Sequence, residues 1–317
     1  MSVTLKPLDQ QVIVVFGASR GIGRATALLA AKRGAKVVAA ARDQEALESL
    51  VAEAAPADVV MSVADAVELG QVREVAELAA SHFGRVDTWA HVAGVGAYSR
   101  FEDITPDEFR RVIDVDLMGP VYGAMAAMPH LRRQGGAFVV VSSEIAKRGF
   151  PLATSYSAAK HGVDGFLEAL RVEFQHDRVP ISVTQILPAA IATPFFEQAR
   201  TRLGVRPSGP PPVYPPEKVA EAILHAAQHP KRDMIVGAAA KVQLLLQKVS
   251  PKLMDALARV TAIRSSARRS RRVRPTAMRC SHHRRAMTGC TARSPAPIPV
   301  VGERRSRSES RIARGRA

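Results

Sequence analysis

Short continuous apolar runs alternate along the chain with stretches whose apolar positions recur every three or four residues. The first pattern predicts strands buried on both faces, the second amphipathic helices. "QVIVVFGAS" (11–19) predicts a strand, and "GIGRATALLAAKRG" (21–34) a helix that Gly34 stops. Further strands are predicted at 35–42, 57–65, 86–94, 135–143, 181–189 and 232–238. Helices are predicted at 43–55, 67–83, 105–134, 153–175 and 217–229. Asp43 is the expected N-cap of the second helix. Thr105 followed by Pro106 opens the long fourth helix, which should be strained near Gly119-Pro120. Strict alternation of strand and helix predicts an α/β fold: a doubly wound parallel sheet with right-handed crossovers, about seven strands in a single domain over residues 1–240. Ligands of such sheets bind beyond the carboxyl ends of the strands. "KVQLLLQKVSPKLMDALARV" (241–260) predicts one or two helices in a C-terminal extension over 241–263. Packing on the body or oligomerisation suits them ahead of contact with a membrane surface.

Composition changes this picture in one place. The chain has 317 residues, 47% of them hydrophobic, as suits a globular protein with a large core. It has no apolar run of about 18 residues, and "MSVTLKPLDQQ" lacks the features of a signal peptide, so a cytoplasmic protein without a membrane span is expected. The formal charge of +16 invites a nucleic-acid reading, but the charge sits in the tail. From Arg264 onward there are sixteen arginines, no lysine and only two acids, Glu303 and Glu309, whereas the body is nearly neutral. Nucleic-acid tails usually mix lysine with arginine, so nucleic acid is not the expected partner. The tail also lacks Leu, Phe, Tyr, Trp, Asp, Asn and Gln, which resembles GC-rich DNA read out of frame. Residues 264–317 are therefore expected to be a disordered frameshift product; the alternative is a natural basic arm that binds polyanions. Cys280 and Cys290 both lie there, so the body has no disulfide or thiol nucleophile, and no His/Cys cluster has metal-site spacing.

Two stretches suggest chemistry. "GASRGIG" places Gly17, Gly21 and Gly23, with Ser19, Arg20 and Ile22 among them, between the first strand and the first helix. Glycines there let the backbone approach a pyrophosphate, and the helix N-terminus offers N–H donors. The second strand ends in Ala41-Arg42, where an acid would hold the ribose 2′-hydroxyl of NAD. Arg20 and Arg42 suit a 2′-phosphate instead, so NADP(H) is expected over NAD(H). Asp43 could reach the ribose but is expected to cap the next helix. The second stretch, "SSEIAKRGFPLATSYSAAK" (142–160), holds Ser143, Tyr156 and Lys160. Tyr156 and Lys160 share a helix face, and the stretch is either a proton-transfer site or a polar loop entering an ordinary helix.

With these motifs in this order, residues 10 to 240 resemble the short-chain dehydrogenase/reductase family, whose fold is Rossmann-like. The resemblance assigns Asp65, with Ala66 beside it, to the adenine, and aligns "HVAG" (91–94), with Ala93 and Gly94, to the family's N-N-A-G. It assigns Pro188, Ile191 and Thr193 of "PAAIAT" to the nicotinamide carboxamide, and Ser143, Tyr156 and Lys160 to catalysis. It implies that Tyr156 exchanges a proton with an alcohol or carbonyl oxygen while hydride moves to or from nicotinamide C4. Ser143 would orient that oxygen, and Lys160 would supply positive charge to a tyrosine whose ordinary pKa is about 10. It also implies a homo-oligomer, dimer or tetramer.

Two departures stand out. His91 and Val92 replace the family's asparagines; His91 is either a hydrogen-bonded core residue, the favoured reading, or one facing the cofactor, and Val92 is expected to leave the neighbouring backbone less supported. Asp116 stands where the fourth catalytic residue is usually asparagine. Ionised beside Lys160, it should weaken the positive field at Tyr156, giving slower turnover and a higher pH optimum. These departures favour a second reading, a catalytically weak NADP(H)-binding sensor or scaffold. Phe150, Phe195 and Phe196 suggest an apolar pocket wall, and "VRPSGPPPVYPPE" (205–217) a semi-rigid lid; neither selects a substrate.

Overall fold

The computed structural model describes residues 3–267. Seven strands are β1 (Val12–Phe16), β2 (Lys36–Ala41), β3 (Val59–Val63), β4 (Thr88–His91), β5 (Gly136–Val141), β6 (Ile181–Pro188) and β7 (Asp233–Val236). They form one parallel sheet in the order β3-β2-β1-β4-β5-β6-β7. The winding reverses between β1 and β4, the crevice where such sheets bind ligands.

Alternate side chains of each strand enter opposite layers, which explains the continuous apolar runs. Val12, Val14 and Phe16 face a core shared with α3 (Leu69–Phe83), α5 (Gly119–Gln134) and α6 (Thr154–His176). Ile13 and Val15 face α1 (Gly21–Lys32) and α2 (Gln44–Ala54). Beneath β5 and β6 that second layer continues with α7 (Pro216–Ala226).

Local signals behave as their chemistry dictates. Asp43 caps α2 by accepting the Ala46 N–H at 3.1 Å. Thr105 and Glu108 form a reciprocal capping box at the start of α4 (Pro106–Ile113). The helix expected over 105–134 is interrupted earlier than Gly119-Pro120, by a π-type turn at Asp114–Met118. There the Gly119 N–H reaches the Asp114 carbonyl, five residues back. Pro120 has no N–H to give, and its ring would crowd the Asp116 carbonyl in a regular helix; the wider turn relieves both.

A two-residue parallel ribbon, Ala97–Tyr98 with Arg200–Thr201, and a short helix, Phe195–Gln198, were not apparent in the apolar pattern. The extension forms two helices, α8 (Ala238–Val249) and α9 (Pro251–Ala267). The rest of the arginine-rich segment, with the disorder expected of it, lies outside the described residues. Among the described residues no helix is long and apolar enough to cross a membrane, and no cluster has a metal-binding composition.

Candidate active site

Each motif sits at the carboxyl end of a strand. At the end of β1, Gly17 has φ +100°, and a Cβ there would lie 2.5 Å from the Ala93 nitrogen. A side chain at Gly21 would meet Thr193 at 2.9 Å. The glycine turn thus touches both the "HVAG" segment and the "PAAIAT" segment. Gly21, Ile22 and Gly23 open α1, whose first N–H groups face the crevice, and Ser19 lies in the turn ahead of it.

The expected phosphate arginines have partners that the sequence did not announce. Arg20 pairs with Asp43, whose carboxylate therefore both caps α2 and engages the guanidinium. Arg42 lies 3.6 Å from Asp65, which Arg111 of α4 also approaches, at 3.3 Å. Arg20 and Arg42 remain about half exposed, so a competing anion can reach them. Ala66 is buried beside Asp65.

The polar centre lies where β5, the π turn and α6 meet. Ser143 follows β5, and its hydroxyl accepts the Ile145 N–H at 3.2 Å. Tyr156 and Lys160 project from α6; the Lys160 ammonium lies 5.4 Å from the centre of the Tyr156 ring. Asp116 is fully buried, with one carboxylate oxygen accepting the Val95 N–H at 2.7 Å and the other 3.2 Å from Lys160 Nζ. Asp116 thus holds the segment after Gly94. Burial raises the Asp116 carboxyl, and Lys160 and the Val95 N–H oppose that rise. Burial also raises the Tyr156 phenol; the Asp116 charge adds to the rise, and a hydrogen bond with Ser143 works against it.

His91 is a core residue as expected, but it lacks the expected hydrogen bond. Its ring stacks on Phe16 at 5.3 Å and lies against Gly119 and Gly123, and neither nitrogen finds a partner. Burial, then the Lys160 charge, lowers its pKa to about 3, so the ring is neutral.

A row of aromatic rings extends from Tyr156. Phe195 lies 5.5 Å from it, Phe196 5.4 Å from Phe195, and Tyr98 6.1 Å from Phe196. Phe150 does not join this row; its backbone N–H binds Ser157. Tyr98 was missed because only the two-residue ribbon brings it there. The ribbon is tied to α4 through Glu108, which takes Arg200 and Arg202 at 2.7 Å each while closing its capping box. Burial would raise the Glu108 carboxyl, but hydrogen bonds from Arg202, Arg200 and the Thr105 N–H hold it at about 2.

A doubly wound sheet with a glycine turn at its crevice, and a buried Ser/Tyr/Lys group beside it, defines a dinucleotide-dependent oxidoreductase fold. The family described as short chain dehydrogenase matches residues 11–204. Over 258 residues the sequence is 43% identical to the oxidoreductase YxnA of Bacillus subtilis, covering 80% of this chain and 72% of that protein. It is 36% identical over 193 residues to versicolorin reductase stcU of Emericella nidulans, covering 60% of this chain and 72% of the relative. The structure is similar to that of an alcohol dehydrogenase from the archaeon Thermococcus sibiricus, complexed with 5-hydroxy-NADP. The TM-score is 0.63 at 26% identity, covering 71% of this chain and 95% of the other. The chain belongs to the short-chain dehydrogenase/reductase family and is an oxidoreductase of that class.

Proposed function

We propose that the protein is an NADP(H)-dependent oxidoreductase acting on an alcohol or carbonyl, with Tyr156 as general acid/base. The observation that carries this reading is the convergence of Ser143, Tyr156 and Lys160 in one buried cluster beside the glycine turn. The residues fit a dinucleotide: Gly17 and Gly21, where a Cβ would strike Ala93 and Thr193, let the turn pack tightly against both segments, and α1 begins directly after it with free N–H donors. The holding residues would be Gly17, Ser19, Arg20, Gly21, Ile22 and Gly23, then Arg42, Asp65, Ala66, Ala93 and Gly94, with Tyr156, Lys160, Pro188, Ile191 and Thr193. The bound cofactor supplies or accepts hydride. Tyr156 moves the proton at the substrate oxygen, Ser143 hydrogen-bonds that oxygen, and Lys160 stabilises the phenolate. Asp116 anchors Lys160 and the segment at Val95. Arg20 and Arg42, released from Asp43 and Asp65, favour a 2′-phosphate over a bare hydroxyl; the Thermococcus enzyme's NADP analogue is consistent with this choice.

The test is a titration with NADPH and NADH followed by nicotinamide fluorescence, then a screen of alcohols and carbonyls against Tyr156→Phe. NADPH preference with Tyr156-dependent turnover is expected, and preference for NADH overturns the cofactor assignment. The pairing of Asp116 with Lys160 favours the second reading, a weakly active NADP(H)-binding sensor. Tight NADPH binding without turnover on any substrate would select it.

A further inference from the structure

The two C-terminal helices present an unpaired apolar stripe. In α8, Ala240 and Leu244 turn inward, while Val242, Leu245 and Val249 are 57%, 63% and 75% exposed. Their spacing of three, four and seven residues places them on one face of the helix. Leu253 of α9 adds a fourth large apolar side chain, half exposed, while Met254 and Ala258 are buried beneath it.

Basic side chains flank the stripe. Lys241, Lys248, Lys252 and Arg259 are exposed on the same two helices. The described part of these helices has a single acid, Asp255, and Arg148 already engages it at 2.7 Å. A second copy meeting this face through a two-fold axis would bring four more cations against these four, so self-association is opposed by charge. An anionic, apolar-backed surface complements both the leucines and the lysines.

We propose that α8 and α9 form a membrane-surface docking face for anionic lipid. Val242, Leu245, Val249 and Leu253 enter the boundary between headgroups and acyl chains, and the lysines lie at headgroup level. The protein lies on the bilayer and does not cross it.

The test uses the full chain and sedimentation with vesicles of phosphatidylcholine, with and without about 30% phosphatidylserine. The variants are Val242→Gln/Leu245→Gln/Val249→Gln and, separately, Lys241→Gln/Lys248→Gln/Lys252→Gln. Every protein carries the same arginine-rich segment, so differences report the face alone. These side chains are exposed, and unchanged thermal unfolding checks that each variant folds. The wild type should bind the mixed vesicles and not pure phosphatidylcholine. Both triple variants should bind at least about tenfold more weakly. The proposal is overturned if the wild type fails to bind, or if the apolar variant binds as well as the wild type. It is also overturned if the apolar variant splits a lipid-free oligomer, which would make the face a contact between copies.

Discussion

Replacing Asp116 with asparagine separates its electrostatic role from its structural one. The asparagine Oδ1 can still accept the Val95 N–H, so the backbone anchor persists. The charge opposite Lys160 is lost. At an effective dielectric of about 20, a unit charge at the 5.4 Å separating Lys160 from the Tyr156 ring is worth about 3 kcal/mol, or roughly two pK units. The Asp116 carboxylate, 3.2 Å from Lys160, opposes that field; with about half of it cancelled, the effect is about one pK unit. Asp116→Asn should therefore move the ascending limb of the alcohol-oxidation profile, which follows ionisation of the Tyr156 phenol, about one unit lower and raise kcat/KM at neutral pH about tenfold. Stability should move the other way, because leaving Lys160 buried without its partner costs about 3–5 kcal/mol. The assay is kcat/KM from about pH 6 to about pH 10, with thermal unfolding alongside. A less stable protein with an unmoved pH profile would refute the argument and leave Asp116 a purely structural residue.

Tyr156→Phe should lower kcat by about 10²–10⁴-fold while leaving NADPH affinity within about threefold, read by steady-state kinetics and fluorescence titration. Arg20→Ala should weaken NADPH binding by about tenfold or more and leave NADH nearly unchanged, since only the former carries the 2′-phosphate. Burial pushes the Glu144 carboxyl up from 4.5 to about 7, so the folded protein holds a proton that the unfolded chain has released. Stability contributed there falls as pH rises across that interval; Glu144→Gln should flatten the dependence and stabilise by about 2–3 kcal/mol above neutrality, measured by urea unfolding at several pH values. Thr105→Ala removes one arm of the capping box and should cost about 0.5–2 kcal/mol by the same measurement.

The main elements were legible because a parallel sheet buried on both faces leaves apolar runs that nothing else in the chain imitates. The glycine turn and the Ser143, Tyr156, Lys160 spacing were legible as motifs. The π turn at Asp114–Met118 was displaced in the reading, because one wide turn hardly disturbs the apolar recurrence and Pro120 draws attention to itself. Tyr98 left no trace, because a two-residue ribbon is too short to pattern. The dual use of Asp43 could not be read either, since capping occupies one carboxylate oxygen and leaves the other's partner to tertiary geometry. His91 was correctly placed in the core, but its stacking on Phe16 depends on strand register.

Glu108 ties α4 to the ribbon by one carboxylate, and its ionisation survives to about pH 2. Protons therefore cannot release this tie to the ribbon that carries Tyr98 near Phe196, whereas ions that compete for Arg200 and Arg202 weaken it. Where movement of this aromatic row limits substrate entry or product exit, that step should quicken with ionic strength yet stay indifferent to acidity.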